Sequence, residues 1–194
     1  MARTLLRLSL LVLLGTSTVW AQRNPEWEIF GGYSFERADV REYYKLTPII
    51  YTFRDQYVNL NGWEAAVTEN VNHWFGGTLN FTGHYKNPVV NGTKNNINRF
   101  SVLYGPRFFY RMKWATPYAH VLLGAGRTSV TLSPGPHAEE WGFATAFGGG
   151  LDLHLGKHAA ARVFQVQYTP LNQVGTGNNN FQASAGIVFY AGKK

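Results

Sequence analysis

With 194 residues the chain has room for one domain, and 15% aromatic side chains with 21 glycines is a high share for an ordinary soluble domain. It has no cysteine, which excludes a disulfide framework and a lipid-modified N-terminal cysteine, so the fold must hold by burial and backbone pairing. A net charge of +7 would suit nucleic acid, but no basic helix or nucleic-acid motif accompanies it, and anionic lipid head groups are the better match.

The first residues are set apart from the fold. Arg3 and Arg7 precede a short apolar run at 8–14, and Val19-Trp20-Ala21 ends on a small residue. A basic start, a short apolar centre and a small residue at the break describe a secretory signal peptide, here residues 1–21. An anchoring helix needs roughly 20 apolar residues; this run stops at Gly15-Thr16-Ser17-Thr18. Residues 22–194 are the expected domain, and +7 less Arg3 and Arg7 leaves it at +5.

Alternation begins at 26–37, where Trp27, Ile29, Gly31, Tyr33 and Phe35 oppose Glu28, Phe30, Gly32, Ser34 and Glu36. A period of two predicts a strand, because successive side chains point to opposite faces. A polar stretch follows at 38–57, with a β-prone part at 45–53 that can extend the strands. The second strand is expected over 58–70, with Trp63, Ala65 and Val67 against Gly62, Glu64, Ala66 and Thr68; Val71-Asn72-His73 is its tight turn. The third, 74–85, sets Phe75, Gly77, Leu79, Phe81, Gly83 and Tyr85 against Gly76, Thr78, Asn80, Thr82 and His84. Residues 86–98 (KNPVVNGTKNNIN) read as a loop by their Asn, Gly and Pro content.

The clearest stretch is 99–128. Phe100, Val102, Tyr104, Pro106, Phe108 and Tyr110 share one face; Ser101, Leu103, Gly105, Arg107, Phe109 and Arg111 share the other. Pro106 removes a ladder donor, which predicts a bulge or local distortion. A turn at 112–116 leads to the fifth strand, and 133–141 (SPGPHAEEW) reads as a loop. Strand six, 142–155, sets Phe143, Thr145, Phe147, Leu151 and Leu153 against Ala144, Ala146, Gly148, Gly150, Asp152 and His154. Gly156-Lys157-His158 turns into strand seven at 159–169, a Gly/Asn loop covers 170–180, and strand eight is 181–191. Arg162 and Gln165 differ in parity, so the phases of strands five and seven stay open.

Eight strands of about a dozen residues suit tilted membrane crossings. The connections alternate long and short, as when short periplasmic turns face longer outer loops and both termini lie on the periplasmic side. Closure follows if the wall is in lipid, where an open edge would leave backbone groups unpaired. Trp27, Trp74, Trp114, Tyr110, Tyr118 and Phe189 near the short turns, and Tyr33, Phe35, Tyr85, Phe100, Trp141, Phe143 and Phe181 near the loops, would form two aromatic girdles. The expected fold class is therefore all-β: an eight-stranded antiparallel up-and-down transmembrane β-barrel.

FGGYSF at 30–35, NGWEAAVTENVNHWFG at 61–76, LYGPRFFYR at 103–111, TPYAHVLLGAG at 116–126, FGGGLDLHL at 147–155 and QASAGIVFY at 182–190 carry a resemblance over essentially the whole of 22–194. The chain resembles the small outer-membrane β-barrel superfamily typified by outer membrane proteins A and X, and within it the generic single-domain barrel families. The resemblance implies the outer membrane of a bacterial cell, reached by export through the periplasm, with the outer-membrane assembly machinery as a partner.

No catalytic, cofactor or metal residues are assigned. A lipid A deacylase-type site needs His, Ser and an orienting carboxylate on the lipid-facing surface, and the matching motif is absent. His154 and Asp152 share the inward face near the short turns and read as a hydrogen-bonded lumen pair. HAEE at 137–140 is a solvated loop fragment without metal-ligand spacing. Parity aims Glu28, Glu36, Glu64, Arg107, Arg111, Asp152 and His154 into the lumen, joined by Gln165 and Gln167. Buried charges are costly unless paired, so a mutually satisfied polar network filling the lumen is expected. Arg37, Arg41, Lys45, Arg54, Lys86, Lys94, Arg99 and Arg127 gather at the long connections, either as a solvated rim or as contacts to lipopolysaccharide phosphates.

The function read from this is an integral outer-membrane barrel, expected as a monomer, with a structural or surface-interaction role; its partners are outer-membrane lipid and lipopolysaccharide, not nucleic acid. The alternatives are an outer-membrane enzyme acting on lipopolysaccharide acyl chains and a secreted lipocalin-like binder of apolar ligands. Which face of the barrel is apolar separates the last from the others.

Overall fold

The computed structural model describes residues 25–45, 51–87, 89–90, 93–133, 137–173 and 176–192. The expected signal segment lies outside them. Eight long strands make the wall: β1 Trp27–Lys45, β2 Tyr51–Asn70, β3 Phe75–Lys86, β4 Thr93–Phe109, β5 Ala115–Ser133, β6 His137–His154, β7 Ala159–Tyr168 and β8 Phe181–Ala191. Each pairs antiparallel with the next, and β8 pairs back along β1 from Phe181↔Arg37 to Ala191↔Trp27. The barrel is closed, so the wall has no edge where lipid would meet unpaired amides.

Exposure follows the sequence alternation and gives the two faces opposite chemistry. Outside stand Ile29, Tyr33, Trp63, Leu79, Tyr104, Phe108, Leu123, Phe147, Val166, Ile187 and Phe189. Inside, Glu28, Ser34, Glu64, Thr68, Asn80, Arg107, Asp152 and Gln182 are buried. A lipocalin-like carrier needs the reverse, an apolar interior beneath a polar exterior. Two small apolar clusters do lie inside: Phe30, Ala66, Ala160 and Val188, and Leu103, Leu122, Ala144, Ala146 and Leu171.

Local chemistry accounts for the turns. At the β2–β3 turn, Asn72 Oδ1 accepts from the amides of Trp74 and Phe75, each at 2.9 Å, while Val71 N donates to Phe75 O at 3.0 Å. A short polar side chain that closes its own turn is the reason Asn recurs at such places. The β4–β5 turn closes through Met112 N to Ala115 O at 2.8 Å, and the β6–β7 turn through Leu155 N to Ala159 O at 3.0 Å.

Three stretches read as loops are partly strand. His137 to Trp141 belongs to β6 and pairs with β5 through Thr131↔His137 and Arg127↔Trp141. Pro and Gly end at Pro136, and above the membrane a strand can carry the charged run HAEE because water reaches both of its faces. β4 begins at Thr93, inside the expected 86–98 loop, and Val89–Val90 pairs onto it. In the expected 170–180 loop, Leu171–Gln173 pairs with Thr176–Asn178 and also lies along Phe143 and Ala144 of β6. β1 and β2 continue through the polar stretch until Lys45 meets Tyr51; the side chains at 39–56 lie outside those described.

The fifth strand alternates regularly, with Tyr118, His120 and Leu122 inward, and the phase of the seventh resolves through a bulge. Across β6–β7 the register steps from Leu151↔Phe164 to Asp152↔Arg162, and across β7–β8 from Gln165↔Ser184 to Arg162↔Gly186. The extra residue lets Val163 and Phe164 both face outward while Arg162 and Gln165 both point inward. At Pro106 the pairing with β5 lapses between Tyr104↔Leu123 and Arg107↔His120 but resumes in the same register, so the distortion is a gap and not a bulge. Gly32 faces Gly186 across the β1–β8 seam, where a Cβ on Gly32 would lie 2.2 Å from the carbonyl oxygen of Ala185.

Candidate functional site

The concentrated chemistry lies inside the barrel and forms connected layers. At the short-turn end, Arg111 Nη2 donates to Glu28 Oε1 at 2.6 Å and Asn70 Nδ2 to the same oxygen at 3.1 Å; Arg107 stands 3.7 Å from the other oxygen. His154 Nε2 bonds Thr116 Oγ1 at 3.0 Å and its Nδ1 faces the Lys113 carbonyl at 3.3 Å. It does not bond Asp152, so the expected His154–Asp152 pair is replaced by two separate arrangements.

Asp152 sits in the middle layer between two guanidiniums. Arg162 binds it through Nε at 2.8 Å and Nη2 at 3.0 Å, and Arg107 Nη2 donates to it at 3.0 Å. The Tyr118 ring lies against both arginines, 3.6 Å from the Arg107 guanidinium carbon and 4.6 Å from that of Arg162, while Phe30 covers Arg162 at 4.1 Å. Tyr118 was expected in the lower girdle. With β5 in phase it is buried in the lumen and donates to Gln165 Oε1 at 2.5 Å.

Glu64, also fully buried, is satisfied by neutral donors: Asn80 at 2.5 Å, Gln165 at 2.6 Å, Gln182 at 3.0 Å and Ser184 at 2.5 Å. No hydrogen bond or ion pair joins it to Arg107. Above it, Ser184 meets Ser34 at 3.0 Å, Ser34 Oγ meets His84 Nε2 at 2.9 Å, His84 Nδ1 stands 3.2 Å from Glu36, and Arg99 donates to the other Glu36 oxygen at 3.0 Å. Glu28, Glu36, Glu64 and Asp152 thus stand with Arg99, Arg107, Arg111 and Arg162 in a charge-balanced interior. Such pairing offsets the several kcal/mol or so that desolvating each ion costs.

Ser34, His84 and Glu36 have the hydrogen-bond order of nucleophile, base and orienting carboxylate. Ser34 is wholly inaccessible, however, and Ser184 already occupies its hydroxyl. Access to the Oγ is what a substrate would need, and the trio is a link in the network. Among the described residues no cluster of three His, Asp or Glu could hold a metal ion.

The basic rim divides. Arg37 is exposed and stacks on Tyr57 at 4.4 Å. Arg127 donates to Glu139 Oε2 at 2.5 Å and lies 5.9 Å from the Trp141 ring; its hydrogen bond holds the Glu139 carboxyl below the usual carboxylate range. Lys86 is half-buried. Arg99 is not on the rim at all: it is buried against Glu36 inside the mouth. The side chains of Arg41, Lys45, Arg54 and Lys94 lie outside those described. Arg99 sits two residues before Ser101, so the parity of β4 already aimed it inward, and its nearness to the loop obscured this. Arg162 was missed for the converse reason, since a bulge breaks the alternation that would have found it.

No family model matches the chain, and no curated protein does. Solved structures do. The attachment invasion locus protein Ail of Yersinia pestis is 19% identical with a TM-score of 0.57, over 86% of this chain and 99% of Ail. Neisserial surface protein A is 11% identical with a TM-score of 0.63, over 85% of this chain and 97% of that one. OprG of Pseudomonas aeruginosa is 12% identical with a TM-score of 0.54, over 88% and 97% respectively. These likenesses are of fold, and the chemistry of the two faces agrees with them. The chain has the fold of the small bacterial outer-membrane proteins, a closed eight-stranded transmembrane barrel with a lipid-facing apolar exterior and a polar lumen.

Proposed function

We propose that this protein is a non-catalytic outer-membrane scaffold with a sealed lumen, holding lipopolysaccharide at its outer girdle and presenting its long outer strands to the surroundings. The seal rests on one observation: Arg107, Tyr118, Arg162 and Asp152, from four different strands, meet in a single buried stack in the lumen. An interior whose charges are paired or hydrogen-bonded, with rings over two of its guanidiniums, leaves little for a hydrated ion to replace. Residues 1–21 would direct export, the outer-membrane assembly machinery would insert the barrel, and it would work as a monomer.

For the lipid contacts, Arg37 and Arg127 are the favoured members of the basic set, because both lie on the outer face beside an aromatic ring, Tyr57 and Trp141 respectively. A guanidinium there forms charge-assisted hydrogen bonds to phosphate. Planar-bilayer recording tests the seal: near-baseline current is expected for the native barrel, and sizeable conductance that neutralising Glu64 or Arg107 leaves unchanged overturns it. Lipopolysaccharide that co-purifies undiminished after reversal of Arg37 and Arg127 removes the lipid role.

A further inference from the structure

The outer mouth of the lumen is built unlike the layers beneath it. One wall is apolar, formed by Leu103 of β4 and Ala144 of β6, which belong to a cluster with Leu122 and Ala146. The facing wall carries Glu36, His84, Arg99 and Gln182, Arg127 with its partner Glu139 borders the opening, and between the walls lies an outward-opening pocket of about 30 Å³. The fifth member of the apolar cluster, Leu171, does not come from the wall. It sits on the β7–β8 connection, held where Thr145 N donates to Pro170 O at 3.1 Å and where Leu171 pairs with Ala144. Its side chain fills the recess left by Gly126, at which a Cβ would come within 2.7 Å of Leu171 Cδ1.

We propose that this mouth is a binding site for a small neutral amphiphile, a short hydrocarbon chain bearing a hydroxyl or amide head, and that Leu171 occupies the chain's place when the site is free. The apolar recess belongs to the barrel wall, while its present occupant is one side chain from the connection paired onto β6, so a ligand chain can take over the same contacts by displacing that side chain. The head is neutral because the polar wall is already balanced. Arg99 and His84 take the two oxygens of Glu36 at 3.0 and 3.2 Å, and a further charge there would be left unpaired in a nearly dry site. A hydroxyl or amide can donate to Glu36 and accept from Arg99 without upsetting that balance. The pocket's size excludes a folded partner. The site lies above the sealing stack and needs none of it opened, so it stands apart from the scaffold role.

The test uses the protein in phospholipid nanodiscs with isotope-labelled Leu and Ala methyls, titrated with 1-hexanol, hexanoate and hexylammonium. Hexanol is expected to shift the methyls of Leu103 and Ala144, which line the pocket, to saturation, with the two ions far weaker. Leu79 and Leu123 face lipid, so they respond linearly as alcohol partitions into the bilayer and serve as the internal reference. Leu171→Ala should tighten hexanol binding roughly tenfold by removing the competing side chain, with the methyl spectrum otherwise that of the native fold. Pocket methyls that track Leu79 and Leu123 without saturating overturn the site. Unchanged affinity in Leu171→Ala overturns the occupant role, and equal binding of the three head groups overturns the neutral ligand. A second variant, Ala144→Leu, fills the recess and should abolish saturation in a barrel that still folds.

Discussion

Arg162 illustrates how one residue closes the interior. Two of its N–H groups go to Asp152 and another to Gln165, while the rings of Phe30 and Tyr118 cover its guanidinium. Arg162→Met keeps most of the volume but leaves Asp152 with Arg107 alone, and removing one partner of a buried pair costs about 3–5 kcal/mol. Urea unfolding followed by tryptophan fluorescence should show that loss. Adding Asp152→Asn should recover part of it, because the uncompensated charge goes too. Outside the membrane the stakes are smaller. Glu139, above the Trp141 girdle, has its carboxyl lowered by the hydrogen bond from Arg127. The charged pair is therefore fully formed above the ordinary carboxylate range and is lost as pH falls through the lowered value. A carbon-13 titration of the Glu139 carboxyl should find a midpoint below 4.5, moving back up in Arg127→Gln.

At the scale of the strand, adjacent glycines make a sharp comparison. Gly31 has open space where a Cβ would stand, whereas one on Gly32 would meet the Ala185 carbonyl oxygen at 2.2 Å across the closing seam. Gly31→Ala should hold stability within about 1 kcal/mol of the native barrel, on the favourable side, since only the unfolded chain loses freedom. Gly32→Ala must push β1 and β8 apart and should cost about 1–3 kcal/mol in the same unfolding assay. Alternation made most of these strands readable, including which face of β1 to β4 and of β6 turns inward. It failed where the backbone departs from a period of two or leaves the membrane. The β7 bulge hides Arg162 from any fixed parity. The strand from His137 to Trp141 is hidden because a water-exposed extension needs no apolar face, and a rule tuned to lipid reads it as loop.

For the whole molecule, the number of strands and the rhythm of long and short connections were legible because lipid imposes both. The interior was only half legible. Parity can say that Glu64, Arg107 and Asp152 point inward, but partner choice depends on height and cross-lumen distance, which no single strand encodes. Hence Asp152 pairs with Arg162 and Arg107, and Glu64 gathers amides and a hydroxyl. The same rhythm predicts the orientation, with short turns in the periplasm and extended strands outside. The chain has no cysteine to confuse a label, so the orientation is open to direct measurement. A maleimide carried on a polyethylene-glycol chain too large to cross the outer membrane should label His137→Cys in intact cells, since that position is exposed at the outer end of β6. Gly156→Cys, exposed in the β6–β7 turn, should react only after the membrane is broken. The opposite pattern would place the long strands in the periplasm, and with them Arg37, Arg127 and the pocket mouth, away from the lipopolysaccharide leaflet that the proposed lipid contacts require.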